Sequence, residues 1–223
     1  MPAESMIKET KRLILMTSST DLSEKLLTYY SDNRAFFEMR EPAWQEQYYT
    51  LEYQRRIQEA EVQNMENRIS AYYYYALKED PERIIGSISF VRIRKEPYAS
   101  TIFGFNQHED YQGHGYCTEA CGAAREEVLK LADIHRIESR VMPDNVKSVH
   151  ILERLGFIYE GMEYSSILIG GSFRDHLRYA WINPDYKING KYSALNGSGC
   201  RKVTTIDQKG GVSPPFCCAF VTF

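Results

Sequence analysis

Residues 112–120, Gln112-Gly113-His114-Gly115-Tyr116-Cys117-Thr118-Glu119-Ala120, decide how this chain is read. The stretch follows an apolar segment with strand character and opens a helix-prone one. Gly113 and Gly115 let the backbone turn sharply and let a ligand come close. The free N–H groups of a helix's first turn lie just beyond them, and the helix dipole favours an anion there. A pyrophosphate fits this arrangement physically; a plain strand–helix turn accounts for two glycines as well. No Gly-Lys-Ser/Thr follows, so the stretch is not a P-loop, and the dinucleotide pattern of three glycines is absent.

Working outward, 100–107 (STIFGFNQ) reads as the strand that leads into the loop. Before it lie 83–93 (RIIGSISFVRI) and 69–78 (ISAYYYYALK), rich in β-branched and aromatic residues. Turns at 79–82 (EDPE) and at KEPYAS join the three into an antiparallel set. Alternate members of the tyrosine run 72–75 are expected on opposite faces of their strand. Near the N-terminus, 11–16 (KRLILM) reads as a strand and Ser18, Ser19, Thr20 and Asp21 as a helix cap. Leu22, Leu26, Leu27 and Tyr30 then give 21–38 a helical spacing. Pro42 interrupts, and 43–67 is polar, free of Gly and Pro, and helix-prone. After the loop come a helix over 118–131, a strand over 136–142, and a helix capped by Asp144 or Asn145 that stops at Gly156. Strands over 157–168 and 173–182 follow, joined through Gly170 and Gly171. Beyond Pro184 the periodicity is lost. The expected organisation is a domain over 1–184 and an irregular extension over 185–223.

With 223 residues, 43% apolar and 26% charged, the chain has the balance of a globular protein able to bury a core without metals or disulfides. Its 27 Lys and Arg against 30 Asp and Glu give a net charge of −3, which argues against a nucleic-acid binder that relies on a broad basic face. No apolar run approaches the roughly 18 residues of a membrane span. Residues 1–11 are polar and lack a signal-peptide core, so a cytoplasmic protein is expected. No Cys-x-x-Cys and no histidine at zinc-ligand spacing appear among the five cysteines and five histidines, so no metal is expected.

Gln112-x-x-Gly115-x-Cys117 resembles the Gln/Arg-x-x-Gly-x-Gly/Ala signature of the GNAT acetyltransferase superfamily. The longer string QGHGYCTEA is similar to its RimJ/RimL-type branch, where QGKGYATEA is the usual reading. In the same order follow Asn145-x-x-Ser148, Leu155-Gly156-Phe157, Glu160-Gly161, Phe173-x-Asp175 and Tyr179. The resemblance covers roughly residues 9–183 and implies an α+β fold. Its sheet is mixed and mostly antiparallel, flanked by helices, and it opens in a cleft between 100–107 and 136–142. The implied activity is transfer of the acetyl group of acetyl-CoA to a primary amine by direct attack. The first expectation for the acceptor is a protein N-terminal α-amine, and a polyamine or antibiotic is the second. A CoA-binding module without turnover is a further alternative, and a monomer or homodimer fits either.

The resemblance also implies roles residue by residue. Backbone amides from Gly113 through Cys117, including His114, Gly115 and Tyr116, would hold the pyrophosphate, with Gln112 beside them. A backbone N–H near Phe105 or Asn106 would stabilise the tetrahedral oxyanion. Asn145 would contact the pantetheine, and Ser148 would hydrogen-bond the departing thiolate. Leu152 stands where many GNAT enzymes carry a tyrosine. Ile102 and Ile167 stand where relatives carry acids, leaving Glu38, Glu41 and Glu163 as substitutes for a base. Asn145 and Ser148 also read as a helix cap and a first-turn residue, and Cys117 and Cys121 as buried thiols. Phe37, Trp44, Tyr48 and Tyr49 are candidates to line the acceptor site, an equal alternative being a helix pair packed on the sheet. Asp175 and Tyr179 are expected to orient strands.

Overall fold

Strand β2 (Leu13–Thr17) shows why both faces of the sheet are covered. Successive side chains of a strand point to opposite faces. Leu13 and Leu15 join one apolar cluster, Ile14 and Met16 the other, and all four are buried. The tyrosine run repeats this in β3 (Ala71–Leu77), with Tyr73 and Tyr75 on the first side and Tyr74 on the second. The first cluster takes Cys117, Ala120, Ala124 and Val128 from α4 (Tyr116–Leu131) and Leu152 from α5 (Val146–Arg154). The second takes Leu26, Tyr29 and Tyr30 from α1 (Ser23–Asp32) and Phe37 from α2 (Arg34–Glu38). Helix α3 (Leu51–Glu66) lies beside α1 and reaches the sheet through Gln58, whose amide donates to Tyr74 Oη at 3.0 Å.

The computed structural model describes residues 6–188. With β1 (Met6–Glu9), β4 (Asp80–Arg94), β5 (Ser100–Gln107), β6 (Arg136–Val141), β7 (Ile158–Ile169) and β8 (Ser172–Ile182), the sheet has eight strands in the order β1-β2-β3-β4-β5-β6-β8-β7. Every neighbouring pair is antiparallel except β5 and β6, which are parallel. This is the expected α+β architecture. The compact unit carrying it ends at Tyr186, and the part of the expected extension beyond residue 188 lies outside the described residues.

Local chemistry explains where the elements depart from the sequence reading. Strand β1 was not expected, because a four-residue edge strand in a polar stretch carries no periodicity; it pairs along β2. The helix expected over 21–38 breaks at Asn33, which is buried. Its amide donates to the Tyr29 carbonyl at 2.8 Å, and its Oδ1 accepts from the Glu109 N–H at 3.0 Å, so it ties the break to the loop after β5. The stretch 43–67 becomes a 3-10 turn, Glu46–Tyr49, and then α3, separated by Thr50, whose hydroxyl accepts from the Tyr53 N–H. The turn expected at 79–82 is tighter, because Leu77 already pairs with Asp80.

Gly86 has a packing role that its strand position hides. A Cβ there would stand 2.0 Å from the Tyr75 ring. The Tyr75 hydroxyl thereby reaches β5, donating to Gln107 Oε1 at 3.2 Å and near the Asn106 carbonyl at 3.4 Å.

Candidate active site

Strands β5 and β6 pair at only three positions, Ser100 with Arg136, Thr101 with Ile137 and Ile102 with Glu138. One residue further on, the buried Ser139 hydroxyl donates to the Phe103 carbonyl at 3.0 Å. Beyond that bond the strands part. Side chains 104–107 of β5, which in a closed sheet would alternate, are all half-buried. The gap opens into a cavity of about 510 Å³ whose walls include Phe105, Asn106, Val141, Ser148 and Leu152.

The loop before α4 forms one wall. Gly113 and Gly115 have φ of +82° and +78°, a region L side chains avoid, and Gly115 is the residue from which α4 starts. Arg12, just before β2, braces this turn. Its Nη1 donates to the His114 carbonyl at 2.8 Å, and its Nε donates to Glu119 Oε2 at 2.8 Å. Glu119 also accepts from the Arg12 N–H and the Thr10 hydroxyl. Burial works to raise the Glu119 pKa, but these hydrogen bonds and the guanidinium charge outweigh it and hold the carboxyl below its ordinary range. The Arg12 guanidinium lies 4.5 Å from the Tyr116 ring centre, and that ring stacks on His114 at 5.5 Å. Of the expected cofactor residues, Phe105, Gln112, Gly113, Gly115, Cys117 and Asn145 line the cavity. His114 and Tyr116, also expected there, are not among the residues that line it. Arg12 escaped the sequence reading, because nothing in it marks a partner more than a hundred residues away.

Helix α5 forms a second wall. Asn145 Oδ1 accepts from the Ser148 N–H at 3.3 Å, which is the expected cap, and Ser148 lines the cavity. Lys147 reaches back to the first wall, donating to Gln112 Oε1 at 2.7 Å. Cys117 and Cys121 are both buried, with their sulfurs 3.8 Å apart. Burial pushes the Cys121 thiol well above its ordinary pKa, so it remains protonated.

The third wall is the end of α2 and the turn after it, which contribute Phe36, Arg40, Glu41 and Pro42. The aromatic residues expected here do not line the cavity. Phe37 and Tyr30 are buried in the second core cluster, and the half-buried Trp44, Tyr48 and Tyr49 pack against it, with Trp44 stacked on Tyr48 at 4.3 Å. Large rings gain more by burying area together than by facing a wet cleft. Two of the three candidate bases are tied up elsewhere. Glu38 accepts from Arg34 at 2.9 Å, and Glu163 accepts from Arg140 at 2.7 Å with Arg178 3.4 Å away. Glu41 lines the cavity and accepts a hydrogen bond from Asn106 Nδ2. Burial raises its pKa, and the Asn106 bond only partly offsets that. Among the described residues no group of three or more His, Cys, Asp or Glu could hold a metal ion, and no helix is long and apolar enough to cross a membrane.

Residues 12–158 match the family described as the acetyltransferase (GNAT) domain. The chain belongs to the GNAT acetyltransferase family. It is 31% identical over 178 residues to the [ribosomal protein uS5]-alanine N-acetyltransferase of Escherichia coli strain K12, covering 79% of this chain and 91% of that one. The crystal structure of the ribosomal-protein-S5-alanine acetyltransferase of Vibrio fischeri superposes with a TM-score of 0.78 at 25% identity, over 81% of this chain and 98% of its own. A spermidine N(1)-acetyltransferase of Vibrio cholerae is more distant, at 23% identity over 56% of this chain and 72% of its own. This GNAT protein therefore stands with the RimJ/RimL-type branch and is an acetyl-CoA-dependent N-acetyltransferase.

Proposed function

We propose that the acceptor of this enzyme is a protein N-terminal α-amine, brought to acetyl-CoA at the fork between β5 and β6. The observation that carries the choice of acceptor is the charge of the cavity wall. Arg40, Arg140, Lys147 and Arg154 line it against a single carboxylate, Glu41. Such a wall repels a polyamine with several positive charges, but it accommodates one amine at Glu41 and the phosphates of CoA elsewhere. The identity to the uS5-alanine enzyme, higher and longer than that to the spermidine enzyme, supports the same choice.

In this reading the pyrophosphate sits on the backbone amides of residues 113–117, where positive φ and the start of α4 point N–H groups outward. The pantetheine lies along the unpaired part of β5, within reach of the Asn145 side chain. The acceptor nitrogen attacks the thioester carbonyl carbon, and the charge that develops on oxygen meets a backbone N–H of Phe105 or Asn106. When the C–S bond breaks, the Ser148 hydroxyl donates a hydrogen bond to the CoA thiolate. Asn106 acts through both its backbone and its hold on Glu41.

Free-thiol release from acetyl-CoA tests the acceptor directly. The panel is peptides starting with Ala or Ser, the same peptides with blocked N-termini, spermidine, and an aminoglycoside. Release with the free peptides only is expected. Release with spermidine or the aminoglycoside and none with peptides would move the enzyme to the small-amine class.

A further inference from the structure

We propose that Glu41 is the general base of this acetyltransferase, taking the proton from the acceptor nitrogen as that nitrogen bonds to the thioester carbonyl carbon. The proposal rests on the reading above that the thioester lies at the β5–β6 fork. Its geometry has three parts. Glu41 is the one carboxylate among the described residues that lines the cavity. Its Oε1 is held by the Nδ2 of Asn106, on the strand whose unpaired end forms the fork. Its own N–H donates to the Phe37 carbonyl at 2.9 Å, and Pro42 follows, so the carboxylate stands on a fixed turn. Asn106 therefore couples the acceptor wall to the strand that carries the oxyanion donor.

The step balances as follows. The neutral amine forms the C–N bond, and the carbonyl π pair moves onto oxygen. Glu41 takes the N–H proton. The oxygen pair returns, the C–S bond breaks, and CoA leaves as a thiolate that takes a proton from water, while Glu41 gives the proton it took from nitrogen back to water. The products are the N-acetyl amide and free CoA. Burial raises the affinity of Glu41 for protons, which makes it a stronger base than an exposed carboxylate. Tyr29 of α1 and Tyr48 of the 3-10 turn are held protonated by burial. Arg40 precedes it on the wall; Arg140 of β6, itself paired with Glu163, and Lys147, His150 and Arg154 of α5 line the same cavity.

The test is Glu41→Gln in the full chain, assayed by thiol release with whichever acceptor the wild type turns over fastest. A loss of kcat of about a hundredfold or more is expected, with the KM for acetyl-CoA unchanged within about twofold. The amine's own protonation gives one acid-side limb, and Glu41 adds a second. The logarithm of kcat/KM should therefore fall with a slope of about two in the wild type and about one in Glu41→Gln. His150→Asn should keep the steeper slope, and Glu41→Ala should regain rate with added formate. Retention of a third or more of the wild-type kcat, or an unchanged slope, overturns the assignment. The wild-type acceptor profile alone decides the N-terminal amine reading, and the ratio of variant to wild type alone decides Glu41.

Discussion

On one side of the cavity Gly113 and Gly115 offer backbone; on the other Glu41, Arg40 and Phe36 offer side chains. The first side is braced by Arg12, just before β2, and by Glu119 in the first turn of α4, and in the proposed reading it serves any molecule that carries the same diphosphate. The second stands on a short turn closed by Pro42 and by one hydrogen bond from Asn106. A shared co-substrate suits a site made of amides, whose geometry the fold dictates. A particular acceptor suits a site made of side chains, which can be exchanged without moving the backbone.

Four substitutions would break or sharpen this contrast. Trp44→Ala removes a half-buried ring packed against the second core cluster and should cost roughly 2–3 kcal/mol in urea unfolding, with the acceptor KM unchanged. A raised acceptor KM without lost stability would put Trp44 in the acceptor wall after all. Ser148→Ala should lower kcat about 10- to 100-fold, equivalent to a hydrogen bond of roughly 1.5–3 kcal/mol to a charged group, with little change in either KM. Gly115→Val forces a β-branched residue to positive φ at a strain of about 1–3 kcal/mol. It should weaken acetyl-CoA binding by isothermal titration about tenfold or more, while Glu41 chemistry persists at saturating co-substrate. An intact affinity would show that the backbone at Gly115 is not part of the diphosphate site.

Glu119→Gln is the smallest effect, roughly 1–2 kcal/mol of stability at neutral pH. Its pH dependence has a definite sign. The folded-state pKa of Glu119 is depressed, so its contribution is complete above the unfolded-state pKa and is lost as pH falls through the folded value. Thermal melts of wild type and variant should therefore converge toward acid pH. A gap that stays constant would mean that the hydrogen bonds and not the charge do the holding.

Much of this was legible in the chain because it follows from periodicity and from turns. The apolar run KRLILM read as a strand, and the tyrosine run was expected to send alternate residues to opposite faces, where Tyr73 and Tyr75 on one side and Tyr74 on the other are found. The glycines of the 112–120 string located the start of α4, and the Asn145 cap located α5. What was not legible depends on contacts distant in sequence. Nothing local marks Ser139 as the residue that bridges to Phe103, or Arg12 as the brace behind His114. The acceptor wall misled for another reason. Aromatic residues near a cleft have the same spacing whether they line it or pack beneath it, and here Phe37 is buried while Trp44 and Tyr48 pack against the second core cluster. Glu41 could not be singled out from Glu38 and Glu163 until their arginine partners were seen.

The Ser139–Phe103 bond has a further consequence. It works as the stop on a zipper, because it fixes the last point at which two parallel strands are joined. Each residue of a strand advances about 3.3 Å. With the thioester at the fork as proposed, moving the stop by one position would slide the reacting carbon by that distance, whereas attack requires atoms held about 3–3.5 Å apart in good alignment. A single buried hydroxyl thus works as a ruler, measuring from the closed end of the sheet where the bond-making point must fall.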